Sequence, residues 1–169
     1  MALGKRKIVK EGRPLRDKNR ISLMFVDEKN NLQSQVAEYY VNKFYPKIYQ
    51  AFSGGPEPDT VDCDLIITMY ERGEDIRRHR SKGFESEYLL EDYDYDYVIY
   101  LHKSVFDEYA SKTIWKGKQI LADMGTPEDF TATDDRELAE EMWAMSLRIR
   151  DWVKETLENP ENLKNLVTA

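Results

Sequence analysis

Apolar and polar positions fall into an alternating series of short strands and amphipathic helices. Ile21 to Val26 is an apolar run, as expected for a central parallel strand covered on both faces. A polar loop, DEKNNLQSQ, follows it. Ser34 to Tyr49 places Ala37, Val41, Phe44 and Ile48 at helical spacing, so one face can pack on a sheet. Gln50 to Ser53 reads as a short second strand ended by Gly54-Gly55-Pro56. Tyr97 to Leu101 reads as a further buried strand, Lys103 to Lys112 as a helix, and Lys118 to Ala122 as a fourth strand. Asp134 and Asp135 stand where an N-cap is needed, ahead of a stripe of Leu138, Met142, Met145, Ile149, Trp152 and Val153. Asn159-Pro160 ends that long helix. Strands alternating with helices predict an α/β fold with parallel strands and right-handed crossovers. Residues 59–72 stay open, because Ile66, Ile67 and Thr68 favour a strand by propensity.

Composition changes this picture little. The chain has 169 residues, 41% of them hydrophobic, enough for one domain with a sizeable core. No apolar run approaches the ~18 residues of a membrane span, and no secretory leader pattern is present. The single cysteine, Cys63, rules out an intrachain disulfide framework and fits a reducing, cytoplasmic setting. It lies between Asp62 and Asp64 and reads as a small structural or surface thiol. Two histidines, His79 and His102, are too few for a histidine-rich metal site.

Charge changes it more. Residues 1–20 hold eight Lys or Arg and two acidic residues, a local charge of +6, which leaves −13 on the rest. This segment is expected to be a flexible basic arm that meets an acidic partner or the acidic body. No aromatic residue stands among its cations, so nucleic acid is not the expected partner. Tyr88, Tyr93, Tyr95, Tyr97 and Tyr100 surround Asp92, Asp94 and Asp96. Those not needed for packing offer a second protein-binding face.

The candidate chemistry lies in the loop after the first strand. A strand–loop–helix junction can aim backbone N–H groups and a helix N-terminus at an anion. Five ordered segments resemble the low-molecular-weight protein tyrosine phosphatase and arsenate reductase superfamily. The first is the loop, in which Asn30, Ser34, Gln35, Ala37 and Glu38 keep the family pattern. Ser53-Gly54-Gly55-Pro56-Glu57-Pro58 resembles the stretch after the family's second strand. Gly73-Glu74-Asp75-Ile76 with His79-Arg80-Ser81-Lys82 resembles G-I-D-I-x-x-H-R-S-K. Asp94-Tyr95-Asp96-Tyr97-Val98-Ile99 resembles the entry to the third strand, and Leu147-Arg148-Ile149-Arg150-Asp151 the R-x-R-D of the last helix.

The resemblance covers about residues 21–158 and implies a three-layer α/β/α fold of the phosphotyrosine protein phosphatase I type. Its four-stranded parallel sheet would have order 2-1-3-4, and residues 59–72 would be helical. Residues 1–20 and 159–169 are then an arm and a tail. The resemblance also marks what differs. The family carries C-x5-R-S in the loop, and this chain places Asp27 at the cysteine and Gln33 at the arginine. Asp123 is the positional match for the family's general acid, but the proline of that loop is displaced to Pro127. Read without the family, Asp123 is a loop carboxylate or a helix cap.

Cysteine-dependent phosphate-ester cleavage needs a thiolate, a charged planar donor for the phosphoryl oxygens and an acid for the leaving group. Asp27 makes no thiophosphate, its carboxylate repels a phosphate dianion, and Glu28 adds to that repulsion. Gln33 donates hydrogen bonds without charge, and Lys29 is the loop's only cation. Thiol-dependent arsenate reduction lacks its cysteine for the same reason. Three further readings bear on the loop. An aspartyl phosphatase would show D-x-D, and the third position here is Lys29. A receiver domain would take Asp64 to Thr68 as its third strand and put methionine, Met69, at the phosphoacceptor position. Asp27, Glu28 and Asp123 would make a cation site only if they converge. His79 and Ser81 read as structural, through a backbone bond and a turn cap.

The sequence thus predicts a phosphatase-like protein without cysteine chemistry, a pseudophosphatase acting as a binding or regulatory module. The alternative is a hydrolase using a remodelled acidic loop, with or without a metal. Asp27, Glu28, Lys29, Asn30, Asn31, Leu32, Gln33 and Ser34 are the expected ligand-facing residues, and Asp123 the candidate acid. No cofactor, no metal and no membrane are called for.

Overall fold

In the computed structural model, which describes residues 13–125 and 129–167, β1 (Ile21–Val26) is an inner strand. It pairs in parallel with β2 (Tyr49–Gly54) on one side and β3 (Asp94–Tyr100) on the other. β4 (Lys116–Leu121) adds to β3, giving the order 2-1-3-4 implied by the resemblance. The apolar run of β1 follows from this position. Leu23 and Phe25 enter a core beneath the helices α1 (Gln33–Phe44) and α4 (Asp135–Leu157). Met24 and Val26 enter a second core on the opposite face, with Phe52, Leu89 and Trp115. A strand whose both faces are buried has no polar side to show.

The remaining helices differ from the sequence expectation at their ends. α1 stops at Phe44, short of the expected Tyr49, because Pro46 supplies no N–H to continue the ladder. Residues 59–72 resolve as α2 (Cys63–Glu71). Its N-cap Asp62 accepts the N–H groups of Asp64 and Leu65, and Leu65, Thr68 and Met69 bury one face. Packing against α4 outweighs the strand propensity of Ile66-Ile67-Thr68. A receiver-type third strand is therefore absent at this position. α3 spans Lys103–Tyr109. The Asp134 carboxylate caps α4 by accepting the Glu137 N–H. Beyond Leu157 the expected tail turns at Pro160 into α5 (Glu161–Leu166), whose Leu163 is fully buried. No helix among the described residues is long and apolar enough to cross a membrane.

β3 contains a bulge. Asp94 pairs with Lys116 and Tyr97 with Lys118, so β3 carries one extra residue. The bulge sends both Tyr95 and Tyr97 inward on opposite faces, into the two cores. Gly117, opposite, has φ +132, and a Cβ there would collide with the Tyr95 carbonyl. Asp96, in the bulge, accepts the N–H and hydroxyl of Ser22 through one oxygen and pairs with Arg16 through the other at 2.7 Å.

Part of the arm expected to be flexible lies against the body. Arg13 donates to the carbonyls of Leu89 and Leu90, Arg16 to that of Asp94, and Arg20 to those of Pro46 and Tyr49. Gln50 exchanges hydrogen bonds with Asp17 and Leu15. The Lys5-Arg6-Lys7 segment lies outside the described residues. Of the five tyrosines, Tyr95, Tyr97 and Tyr100 are core residues, and Tyr88 is the exposed one, with Arg80 over its ring.

Candidate functional site

Asp27 leaves the C-terminal end of β1 and opens the loop that leads into α1. Parallel strands with helical crossovers place such loops together at one edge of the sheet. Asn30 makes the turn in the left-handed region, with φ +48, a conformation asparagine tolerates better than most residues. It is fully buried, and its whole side chain is used. Its amide donates to the Ser34 hydroxyl, and its side-chain oxygen accepts the Lys82 N–H at 2.8 Å. The Gln35 amide donates to both Asn30 oxygens and to the Arg80 carbonyl.

Neighbouring segments complete this frame. The Ser81 hydroxyl donates to the Lys29 carbonyl at 2.6 Å and accepts the Asp59 N–H. His79 Nδ1 bonds the Gln35 side-chain oxygen rather than the backbone partner expected for it, and burial pushes the His79 pKa down. Gly55 lies directly under the loop. A Cβ there would collide with the carbonyl oxygens of Asp27 and Glu28. Gly55 N–H donates to the Lys82 carbonyl, and Glu57 N–H to that of Glu28. Beyond it, Glu38 accepts the Ser53 hydroxyl and lies 3.6 Å from the buried Lys82 ammonium. The G-G-P and H-R-S-K stretches of the sequence thus hold the loop's shape.

The positions that would carry chemistry are arranged differently. Asp27 is 3% exposed. Its Oδ2 accepts the Ser34 N–H at 2.8 Å, while Oδ1 has no hydrogen-bond partner among the described residues. Burial pushes its pKa up. The Ser34 N–H and hydroxyl, and the N–H groups of Asn30 and Leu32, pull the other way. Neither of those last two N–H groups closes a hydrogen bond. The loop's donors therefore face a carboxylate belonging to the chain itself. Glu28, exposed at the rim, is raised by partial burial and by the Glu57 carboxylate beside it, with Lys29 and His102 opposing. Gln33 is engaged within the chain. Its amide donates to the Gly125 carbonyl at 2.6 Å, tying α1 to the segment after β4.

Asp27, Glu28, Lys29, Asn31, Leu32 and Gln33 line one cleft of about 360 Å³. Its far side comes from residues that the loop's sequence does not announce. Asp62 and Asp64 enter from the start of α2, His102 from the N-cap of α3, and Phe130, Leu138 and Met142 from the approach to α4 and α4 itself. Only the apolar stripe of α4 hinted at any of them. Asp123 is not part of the lining. It is exposed, and its carboxylate accepts the Gly125 N–H at 3.1 Å, the loop-carboxylate role. Asp27, Glu28 and Asp123 thus do not meet in this cleft, and no trio of His, Cys, Asp or Glu side chains among the described residues converges as a metal site. Pro127 lies outside the described residues. Cys63 is exposed at the start of α2.

No family sequence model matches the chain, and no curated protein matches it by sequence. Solved structures do. Vibrio vulnificus Wzb, in complex with benzylphosphonate, superposes with a TM-score of 0.57 at 16% identity, covering 80% of this chain and 99% of that one. The Erwinia amylovora tyrosine phosphatase AmsI gives 0.56 at 14% identity over 84% and 98%. The thioredoxin-dependent arsenate reductase of Corynebacterium glutamicum gives 0.52 at 18% identity over 91% and 66%. Sheet order, the strand–loop–helix junction and these superpositions agree: the chain has the fold of the low-molecular-weight tyrosine phosphatases and arsenate reductases.

Proposed function

We propose that this is a phosphatase-fold protein without cysteine-dependent chemistry, acting as a binding or regulatory module. The observation that carries the reading is Asp27. A buried carboxylate, held by the Ser34 N–H, stands at the head of a loop that contains neither cysteine nor arginine. A carboxylate there repels a phosphate dianion and supplies no thiolate. Two further features support it. The Gln33 amide is engaged by Gly125 and adds no charge to an oxyanion cradle. Asp123, the positional match for the family's general acid, lies outside the cleft lining and accepts the N–H of its own turn.

Turnover of p-nitrophenyl phosphate, with and without iodoacetamide, tests the reading, alongside calorimetric titration with phosphate. The expected result is no turnover above blank and no sub-millimolar phosphate binding. Turnover well above blank overturns it. Sensitivity of that turnover to iodoacetamide would point to Cys63, the chain's only thiol.

A further inference from the structure

We infer that the groove along the outer edge of β2 receives an extended, acidic segment of a partner polypeptide, its main chain on Ala51 and its carboxylates on Arg78 and Arg80. This groove shares no lining residue with the loop cleft. The inference therefore goes beyond the reading above and holds whether or not the loop turns over a phosphate ester.

β2 is an edge strand, first in the order 2-1-3-4. Its register fixes which backbone groups are spent. Ile21, opposite Tyr49, donates its N–H to the Ile48 carbonyl. In this parallel ladder Ile21, Leu23 and Phe25 therefore bond across to β2, while their partners Tyr49, Ala51 and Ser53 turn their own N–H and C=O away from β1. The ends of that outward edge are satisfied. Tyr49 N–H donates to the Tyr45 carbonyl, the Tyr49 carbonyl accepts Arg20, and Gly55 N–H donates to the Lys82 carbonyl. Of the two residues between, Ser53 is enclosed. Ala51 stands half-buried in a groove of about 310 Å³, and its backbone makes no outward bond among the described residues. Phe52 lines the same groove. Successive side chains leave a strand on opposite faces, so a groove that touches both runs along the strand's edge. The far edge of the sheet differs. β4 carries Lys116 and Lys118, and the Gln119 amide donates to the Gly117 carbonyl, devices that discourage pairing. β2 has neither lysine nor proline. An open edge of this kind is completed by an added strand.

The charge of the groove selects that strand. Arg78 and Arg80 line it, both are exposed, and neither guanidinium meets a carboxylate among the described residues of a chain whose net charge is −7. Arg80 is held in place. Its carbonyl accepts the Gln35 amide and the Lys82 ammonium, and its guanidinium lies over the Tyr88 ring, 5.0 Å from the centroid. Glu38, the carboxylate of the lining, already accepts the Ser53 hydroxyl and faces the Lys82 ammonium at 3.6 Å. His79 is bonded through Nδ1 to Gln35. Two guanidiniums thus stand without counter-ions beside an open strand edge, and their planar forks match carboxylates. Single-stranded nucleic acid stacks its bases on aromatic faces, whereas Arg80 covers one face of Tyr88, the exposed ring of this groove.

The test is fluorescence anisotropy of the full chain with labelled acetyl-Thr-Glu-Thr-Glu-Thr-Glu-Thr-amide, its glutamine counterpart, a version N-methylated at the central residues, and an oligothymidylate of matching length. The acidic peptide is expected to bind about tenfold more tightly than the glutamine one, and more weakly as salt rises. N-methylation is expected to cost about fivefold or more, because it removes main-chain donors. Arg78→Gln/Arg80→Gln is expected to lose about tenfold at an unchanged melting temperature. Lys18→Gln/Lys118→Gln, at the cationic groove by the start of β1, is expected to bind as the parent does. No binding of the acidic peptide, or an equal loss in the two double variants, overturns the site. Indifference to N-methylation overturns strand addition. Tighter binding of the oligothymidylate overturns the polypeptide assignment. A dimer in sedimentation that the arginine variant dissolves makes the occupant a second copy and overturns it as well. All these readouts are of binding, so turnover of p-nitrophenyl phosphate would remove the non-catalytic reading without touching this one.

Discussion

On one side of the loop after β1, Asn30 gives its amide to Ser34 and its oxygens to Gln35 and Lys82. On the other, Asp27 turns one carboxylate oxygen to the Ser34 N–H and leaves the second without a donor. Both residues are buried, and they stand three positions apart. The difference teaches which part of a binding loop is about shape and which about ligand. The Asn30 side is closed and fixes the backbone. The Asp27 side keeps an unmet requirement, at a cost of about 1–3 kcal/mol for a buried unpaired acceptor.

The comparison breaks first at Gly55. Gly55→Ala places a methyl group against the carbonyls of Asp27 and Glu28, and backbone cannot yield as a side chain can. A loss of about 3 kcal/mol in urea unfolding is expected. A loss below about 1 kcal/mol would mean that the loop is plastic and the frame is not rigid.

Asp27→Asn sharpens the other side through pH. The folded-state pKa of Asp27 is raised above its ordinary 3.8, chiefly by burial. The stability it contributes is therefore complete below that value and is lost as pH rises through the folded pKa. Asparagine does not titrate. The stability of the variant relative to the parent should climb across the acid range and level off above the folded pKa. Each unit of displacement is worth about 1.4 kcal/mol. A flat difference from pH 3 to 8 would show that the loop's N–H groups offset burial completely.

The smallest effect is expected at the opposite end of β1. Arg16 pairs with Asp96 and the Asp94 carbonyl, partly open to solvent. Arg16→Ala should cost about 0.5–1 kcal/mol in thermal unfolding. An effect rivalling that of Gly55→Ala would make the arm as much a part of the folded unit as the loop frame.

Much of this fold is legible in the chain because local and global demands coincide. The β1 run is apolar because both its faces are covered, and Asn30 and Ser34 declare the loop because few residues can replace them there. α2 is hard to read because its Ile66-Ile67-Thr68 run favours extended backbone, while the Asp62 cap and the contact with α4 decide for helix. The bulge in β3 leaves no mark except Gly117, one glycine among eight. Of the candidate site, the loop half is legible and the other half is not. Asp62, Asp64, His102, Phe130, Leu138 and Met142 reach the cleft through topology, from positions up to 115 residues beyond Asp27. Asp123 misleads for the converse reason, since its place along the chain says nothing of where its carboxylate turns.

The bulge at Asp96 has one more consequence. By holding Arg16 and the Ser22 N–H together, it anchors cationic chain at the end of β1 where the strand begins. The acidic cleft opens where the same strand ends. Six residues of strand keep these poles roughly 20 Å apart. Among the described residues, Arg16, Lys18, Arg20 and Lys118 thus gather at the start of β1, and Asp27, Glu28, Asp62 and Asp64 at its end. In dilute salt a charged surface would feel its orientation as well as its charge. An approaching cation would be drawn to one end before touching it, and a polyanion to the other.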